Sequence, residues 1–231
     1  MDDRDAARRT IAGGLWTTGA GLAALAAVYV VAIEHTPIER FQGLPQKIFY
    51  VHVPAAWCAL LAFSLVGIAS ALYLWLREPR LDLFAESTAE AGLVFSCVML
   101  TTGPLWGKPV WGTWWTWDAR LTLTLMLFFL FLGYRALRAA IPEPGERARF
   151  SAVVGILGLV LVPFVNLSVY LFRTLHPQPI VLKPSAPSLP WEMLRTLLLA
   201  VGAYTVLLSG FVTTRYGLGR RAEAEGGADG R

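Results

Sequence analysis

The chain has 231 residues, of which 55% are hydrophobic and only 16% are charged, and its mean hydropathy is +0.53. A charged share well below the roughly 25% of a typical soluble domain excludes an ordinary water-soluble fold and indicates a protein that crosses a bilayer. The net charge of +4 requires no nucleic-acid partner, because an uneven distribution of basic residues between the two sides of a membrane accounts for it.

Six largely uncharged segments predict six transmembrane helices, because a spanning helix needs about 20 apolar residues. Their polar and apolar residues do not alternate, which excludes membrane strands, and helices satisfy every backbone polar group in lipid. The spans are expected at about 11–33, 53–76, 91–107, 117–134, 152–172 and 194–214. The sequence thus predicts an all-α, six-helix transmembrane bundle that forms one membrane domain over 1–215. A disordered tail is expected at 216–231, where glycine, alanine, glutamate and arginine dominate.

An even number of spans places both termini on one side of the membrane, and the basic residues indicate which side. Of the 20 lysines and arginines, 13 lie in the termini and in the second and fourth connections, and 7 lie in the other three connections. Both termini, including the tail, are therefore predicted to be cytoplasmic. The connections at 34–52, 106–120 and 173–195 then face outward, and they hold all three histidines.

The third connection is unusually rich in tryptophan. Within a few residues it holds four tryptophans, an acid and a base, namely Trp111, Trp114, Trp115, Trp117, Asp118 and Arg120. Tryptophan favours membrane interfaces, but an interfacial belt spreads its tryptophans over many helix ends. A flat apolar surface with a carboxylate and a guanidinium at its edge suits a large planar ligand that carries acidic groups. A porphyrin with its propionates fits this description.

Two histidines lie at the outer ends of predicted helices. His52 comes just before Pro54 at the start of the second span, and His176 comes just after the fifth span. Two histidines on different helices are a usual way to hold heme iron from both faces. Together with Asp118 they are also compatible with zinc, although a compact zinc site usually has a third or fourth protein ligand. His35, after the first span, is expected to be a solvated loop residue.

Several motifs are absent from the sequence. The two cysteines, Cys58 and Cys97, lie in different spans and form no Cys-x-x-Cys-His motif, which excludes covalent heme attachment of the c type. The chain also has no Gly-x-x-x-x-Gly-Lys-Ser/Thr loop for a nucleotide, and the six uncharged segments contain no ionisable relay. We therefore expect a binding protein and not an enzyme.

The segment 111–122, with Trp111-Gly112, Trp115, Trp117-Asp118 and Arg120-Leu121-Thr122, resembles the signature of heme-handling proteins that carry a WWD motif. With Val51-His52-Val53-Pro54-Ala55-Ala56-Trp57, Thr174-Leu175-His176 and the six-span length, the chain is similar to the heme exporter protein C (CcmC) family of system I cytochrome c maturation. The resemblance covers about residues 10–215.

This resemblance implies a six-helix protein of the bacterial inner membrane whose tryptophan-rich loop is periplasmic. It implies that His52 and His176 are the axial iron ligands of a transiently and non-covalently bound heme b. A heme platform is implied for Trp111, Trp114, Trp115, Trp117, Asp118 and Arg120. The implied partners are the ABC-type subunits CcmA and CcmB, the small subunit CcmD, and the heme chaperone CcmE, to which heme is presented. ATP hydrolysis is then expected in a partner subunit.

Two other functions remain open at this point. A membrane electron-transfer subunit, such as a cytochrome b, also binds heme between paired histidines, but it places them at mid-membrane and not at the outer helix ends. A structural membrane subunit would use its tryptophans only as an interfacial anchor.

Overall fold

The computed structural model describes residues 3–178, 180, 181, 183 and 185–229, and this part of the chain is helical and contains no β-strand. Six of its helices are long and apolar enough to cross a membrane. They are α1 (Asp3–Val30), α2 (Phe49–Leu76), α3 (Pro79–Trp111), α4 (Ala119–Ala140), α5 (Pro144–Leu171) and α6 (Trp191–Asp229). Each contains most of the span expected from the sequence. The predicted fold class, an all-α bundle of six transmembrane helices, is confirmed.

Local sequence signals account for several helix ends. Glu78 and Glu143 precede α3 and α5, and the side chain of each accepts hydrogen bonds from backbone N–H groups of the first turn. Each glutamate is followed by a proline, Pro79 or Pro144, whose missing N–H costs nothing at the first helical position. Arg77 ends α2 in a left-handed conformation, with φ of 58°. Two short connections therefore reverse the chain at this end of the bundle.

The connection from α1 to α2 is held in place by a lysine. α1 continues into a π-helical turn, Val31–His35, and a 3-10 turn, Leu44–Ile48, leads into α2. The ammonium group of Lys47 donates to the carbonyl oxygen of Ala32 at 2.6 Å and also to that of Thr36. A cation is favourable beside the unsatisfied carbonyl groups at a helix C-terminus. This contact ties the start of α2 to the end of the first span.

Helix α2 lies at the centre of the bundle and contacts α3, α5 and α6, while α1 packs along α6, and α4 packs against α5 and α3. One apolar core forms among α1, α2, α3 and α6 and includes Cys58 and Phe95. A second forms among α2, α3, α4 and α5, where the rings of Phe63 and Phe131 stack at 3.8 Å. α2 and α3 therefore contribute to both apolar cores.

A network of ion pairs joins α3, α4 and α6 at the end of the bundle that holds the chain termini. Its carboxylates lie one turn apart on α3, and its arginines come from α4 and α6, namely Asp82, Glu86, Glu90, Arg135, Arg138 and Arg215. Sequence reasoning placed these arginines in connections or at the tail, whereas all three lie within helices. Pairing lets α3 carry its acidic residues in the bundle, which is why this helix begins well before the expected span at 91.

The expectation of a disordered tail at 216–231 was wrong as far as Asp229, because α6 continues to that residue. Arg220 of this extension donates to Asp3 at 3.1 Å, at the start of α1. At Gly217 a Cβ atom would lie only 2.8 Å from the side chain of Ile11, so the two helices are still in close contact there. Composition alone predicted disorder, but α1 supplies the packing surface that stabilises this helix.

The connections α1–α2, α3–α4 and α5–α6 meet at the other end of the bundle. The indole N–H of Trp106, near the end of α3, donates to Gln42 Oε1 of the α1–α2 connection at 3.0 Å. The ring of Trp111 lies 6.4 Å from the ring of His176 in the α5–α6 connection. The tryptophan-rich segment and two of the histidines therefore share one end of the molecule.

Candidate functional site

His52 lies in the first turn of α2 and packs against one face of α3. Its Nδ1 atom is 3.1 Å from Thr102 Oγ1, and its ring meets the Trp106 indole edge-on at 5.8 Å between centroids. Gly103 lies between these two residues, and a Cβ atom there would come to 3.2 Å from the imidazole Cε1. The missing side chain at position 103 thus makes room for the ring. Pro54 is buried just after His52 and is tolerated near the helix start.

His176 lies in the α5–α6 connection, five residues beyond the end of α5. Its Nδ1 atom is 2.9 Å from the carbonyl oxygen of Pro177, and its backbone carbonyl accepts from the Thr174 hydroxyl at 3.0 Å. Burial, followed by the positive charge of Arg120, lowers the pKa of His176 to about 4. The imidazole is therefore neutral at pH 7, which is the form that binds metals.

The tryptophan-rich loop begins where Gly112 ends α3 with φ of 77°, a conformation that glycine adopts without a steric cost. Lys108 donates to the carbonyl oxygen of Gly112 at 3.0 Å and so closes the end of the helix. Beyond it, Trp114 is 56% exposed and Trp117 is 76% exposed. The loop therefore presents bare indole surface at this end of the bundle.

The indoles of the loop do not form a single flat surface. The rings of Trp115 and Trp117 lie 5.9 Å apart and are inclined at 75°, an edge-to-face arrangement. Such pairs are favoured because the edge of one ring carries positive charge density and the face of the other carries negative. The Trp115 indole is partly buried, with its Nε1 atom fully buried, whereas Trp117 is exposed. The loop therefore does not present the single flat apolar surface that the sequence predicts.

Asp118 serves as the N-cap of α4. Its Oδ1 accepts from the backbone N–H of Leu121 at 3.1 Å, and its Oδ2 accepts from the hydroxyl of Thr116 at 3.0 Å. Both carboxylate oxygens are thus used to shape the loop and to begin the helix. The negative charge also lies near Arg120, two residues further on.

Three buried polar atoms in the loop and in the first turn of α4 have no hydrogen-bond partner within the part of the chain that the structure describes: Arg120 Nη1, Trp115 Nε1 and Thr122 Oγ1. All three can donate a hydrogen bond, and an unpaired buried donor is costly. An acidic group from a ligand would satisfy such donors, most strongly at the guanidinium. This is the feature of the site that best fits a ligand with carboxylates.

The residues singled out from the sequence therefore come together in space. The positive charge of Arg120 acts on the imidazoles of both His52 and His176, so these three side chains lie near one another. Trp111 approaches His176 directly. His35 is exposed on the π-helical turn at the end of the first span, as expected for a solvated residue. Throughout the described residues, no three His, Cys, Asp or Glu side chains form a cluster for a metal ion, which leaves the zinc reading without a third ligand.

Sequence reasoning missed three residues that surround His52, namely Thr102, Gly103 and Trp106. Thr102 and Trp106 are four residues apart and therefore share a face of α3. That spacing is visible in the sequence, but nothing in the sequence indicates that this face meets the start of α2.

Comparison with known proteins bears on what this arrangement serves. Residues 6–223 match the family described as heme exporter protein C. The chain belongs to the heme exporter protein C family. It is 40% identical over 177 residues to a heme exporter protein C of Bradyrhizobium diazoefficiens, an alignment that covers 77% of this chain and 66% of that protein.

Other members of the heme exporter protein C family show similar identity. A putative cytochrome c biosynthesis ccmC-like mitochondrial protein of Marchantia polymorpha is 39% identical over 181 residues, which is 78% of this chain and 76% of the relative. Heme exporter protein C of Haemophilus influenzae is 34% identical over 187 residues, which is 81% of this chain and 76% of the relative. The similarity thus extends over most of the membrane bundle and includes the candidate site.

Proposed function

We propose that this protein binds heme b non-covalently at the periplasmic face of the bacterial inner membrane and presents it to the heme chaperone CcmE during the biogenesis of c-type cytochromes. One observation carries the proposal: two imidazoles from different elements, His52 and His176, lie at the same end of the bundle as a tryptophan-rich loop, and buried donors in and just after that loop have no partner among the described residues. Family membership supports the same function.

In this proposal His52 and His176 ligate the heme iron from opposite faces. Each imidazole has its Nδ1 atom within hydrogen-bond distance of a protein oxygen, Thr102 Oγ1 or the Pro177 carbonyl. Metal-binding histidines characteristically use one ring nitrogen in this way and offer the other to the metal. Nε2 is thus the nitrogen that each residue offers to iron.

The porphyrin is proposed to lie against the tryptophan loop. Arg120, whose buried Nη1 has no partner among the described residues, is proposed to bind a propionate, because a guanidinium forms strong charge-assisted bonds with carboxylates. Trp111, Trp114 and Trp117 supply aromatic area for the porphyrin and for an incoming protein. Asp118 contributes by holding the loop in shape.

The chain is proposed to act as a delivery subunit and not as an enzyme. It has no nucleotide-binding motif, so the ATP that drives release is expected to be used by the partners CcmA and CcmB, with CcmD as a further subunit. Heme whose iron is ligated on both faces is bound tightly, and this stability opposes its release. Release of heme is therefore expected to require a further event, such as ATP hydrolysis by a partner. The excess of basic residues on the side of the termini supports cytoplasmic termini and a periplasmic heme site.

A spectroscopic experiment tests the ligands. The detergent-purified protein is loaded with ferric heme b, and its absorption spectrum is compared with those of His52→Ala, His176→Ala and the matched control His35→Ala. We expect a six-coordinate low-spin spectrum for the unchanged protein and for the control. Either substitution at positions 52 or 176 should produce a high-spin spectrum or heme loss. Unchanged spectra for both would refute the ligand assignment.

A transfer experiment tests presentation to the chaperone. A variant with Ala at positions 114, 115 and 117 should retain part of its heme, because each aromatic contact adds only about 0.5–1.5 kcal/mol beyond its area. Transfer to CcmE should fail in that variant and persist in Trp75→Ala, a tryptophan on α2 that is 80% exposed and lies outside the loop. Heme that cycles between oxidation states and never reaches the chaperone from the unchanged protein would instead indicate an electron-transfer subunit.

A further inference from the structure

The hydroxyl group of Thr102 has only one proton, and its hydrogen bonds show where that proton goes. Thr102 Oγ1 lies 2.7 Å from the carbonyl oxygen of Val98, one turn earlier on α3, and a carbonyl can only accept. The hydroxyl therefore donates to Val98 and faces His52 with its lone pairs. His52 Nδ1, 3.1 Å from the same oxygen, must then carry the proton of a neutral imidazole. The remaining lone pair of that ring is on Nε2.

Two further residues of α3 define the orientation of the same ring. Trp106 meets it edge-on at 5.8 Å, and the Trp106 indole is itself held by Gln42. Gly103 leaves the space that the ring occupies, since a Cβ atom there would lie 3.2 Å from the imidazole Cε1. Trp106 and Gly103 thus fix the position of the ring by their shape, while Thr102 Oγ1 accepts the hydrogen bond that the ring donates from Nδ1.

We propose that Thr102 is a positioning residue that sets the tautomer and the orientation of His52, so that Nε2 is presented to the heme iron. This inference rests on the proposed function, because it presumes that His52 is a ligand, and it adds a residue outside the histidines and the tryptophan loop. Thr102 acts through His52 and makes no contact of its own with heme.

The two histidines differ in how they are held. His176 donates to a backbone carbonyl, which no side-chain substitution removes. His52 donates to a side-chain hydroxyl, which a single substitution removes without changing the shape of the helix face, and the backbone carbonyl of Met99 is a second acceptor near this ring. A hydrogen bond donated by the ring nitrogen that does not bind the metal fixes the tautomer and makes the ligand more basic. Loss of such a partner typically weakens metal binding by about 10–100-fold.

The test uses the full-length protein purified in detergent and loaded with ferric heme b. Thr102→Val removes the hydroxyl and keeps the volume, and Thr102→Ser keeps the hydroxyl. Thr101→Val is the matched control, because the adjacent Thr101 is exposed and donates to the Cys97 carbonyl of its own helix in the corresponding way. Heme dissociation into an excess of heme-free myoglobin, the electron paramagnetic resonance spectrum and the midpoint potential are measured for each protein, alongside His52→Ala.

We expect Thr102→Val to lose heme about 10-fold faster or more, to shift its resonance spectrum and to raise its midpoint potential, because a less basic ligand stabilises ferric iron less well. Thr102→Ser and Thr101→Val should match the unchanged protein within about twofold.

If Thr102→Val behaves as the unchanged protein does while His52→Ala loses its low-spin spectrum, Thr102 has no positioning role and the heme site stands. Equal impairment of the Ser and Val variants also overturns the inference, since the hydroxyl then plays no part. If His52→Ala has no effect, the proposed function fails and this inference with it.

Discussion

Asp118 illustrates how the role of a residue depends on its hydrogen bonds. The sequence pattern placed it at the edge of an apolar surface and predicted a carboxylate at the rim of a ligand site. In the structure both of its oxygens are used within the protein, one by the Leu121 amide and one by the Thr116 hydroxyl. Its main contribution is therefore to end the tryptophan loop and begin α4. Arg120 differs from it, because its Nη1 has no hydrogen-bond partner among the described residues.

Substitutions at position 118 should separate the contribution of Asp118 as the N-cap of α4 from the contribution of its negative charge. Asp118→Ala removes the cap and should destabilise the protein by about 0.5–2 kcal/mol, as for other N-cap losses. Asp118→Asn keeps an oxygen that accepts from Leu121 and should cost much less. Thermal unfolding in detergent and heme retention measure both effects. If Asn weakened heme retention as much as Ala did, the negative charge itself would be required.

Helix α1 packs on α6 through small residues. A Cβ atom at Gly210 would lie 2.5 Å from Thr18 Oγ1 and 2.6 Å from the Thr18 backbone nitrogen, and one at Gly14 would collide with Thr214. Lipid tails are as apolar as the side chains inside a helix bundle. Membrane helices therefore associate through such close contacts and not through the hydrophobic effect. The same pairing continues into the extension of α6 beyond residue 215.

A pair of alanine substitutions on α6 tests this contact. Gly210→Ala forces the two backbones apart and should cost about 1–3 kcal/mol, as overpacking does elsewhere. Gly202→Ala lies on the same helix with nothing within 4 Å of the added Cβ, so it should be neutral or slightly stabilising. Chemical or thermal unfolding in detergent compares them. Equal stability of the two variants would contradict the role of close packing.

The ion pairs couple α3 to α4 through a buried arginine. The Arg138 side chain is 3% exposed, donates to Asp82 at 2.6 and 2.9 Å and to Glu86 at 2.9 Å, and lies over the Tyr134 ring. A bidentate contact of this kind is specific to a guanidinium, so lysine is a poor replacement. The network fixes how far α3 and α4 extend past each other at this end of the bundle.

Removal of that guanidinium should be strongly destabilising. Arg138→Met leaves Asp82, whose side chain is only 17% exposed, without its partner, and loss of one member of a buried pair costs about 3–5 kcal/mol. Adding Asp82→Leu to the same chain should restore part of the loss, because no uncompensated charge remains there. Arg80→Met, at an exposed 3.9 Å pair with Glu78, is the control and should change stability by less than about 1 kcal/mol. Unfolding in detergent measures all three, and a mild effect of Arg138→Met alone would show that the network contributes little.

Over the whole molecule, the two ends of the bundle are chemically different. One end holds the paired carboxylates and arginines, the termini and the two short connections. The other end holds the three longer connections, with the tryptophan-rich loop and both candidate ligands. The basic residues are concentrated at the first end, where the positive-inside rule places the cytoplasm.

Reporter fusions test the orientation of the whole bundle. A periplasm-active reporter inserted near Lys108 or Lys183 should be active, and the same reporter near Arg147 should be silent, since 13 of the 20 basic residues lie on the side of Arg147. A cytoplasm-active reporter should give the reverse pattern. Activity outside near Arg147 would place the candidate site in the cytoplasm and refute the proposed presentation of heme to a periplasmic chaperone.

Much of this protein follows from its sequence alone. The length of each apolar segment is a local property, so the number of spans and their helical nature were predictable, and the tryptophan motif and two histidines were recognised from their residue types and positions. The tertiary structure alone decided that Thr102 faces His52, that Asp118 caps α4, that Arg138 joins α3 to α4, and that α6 extends to Asp229. Those facts depend on how each helix is rotated against its neighbours. A helix that is apolar on all sides carries no polar face from which that rotation can be predicted, because lipid and the bundle interior are equally apolar.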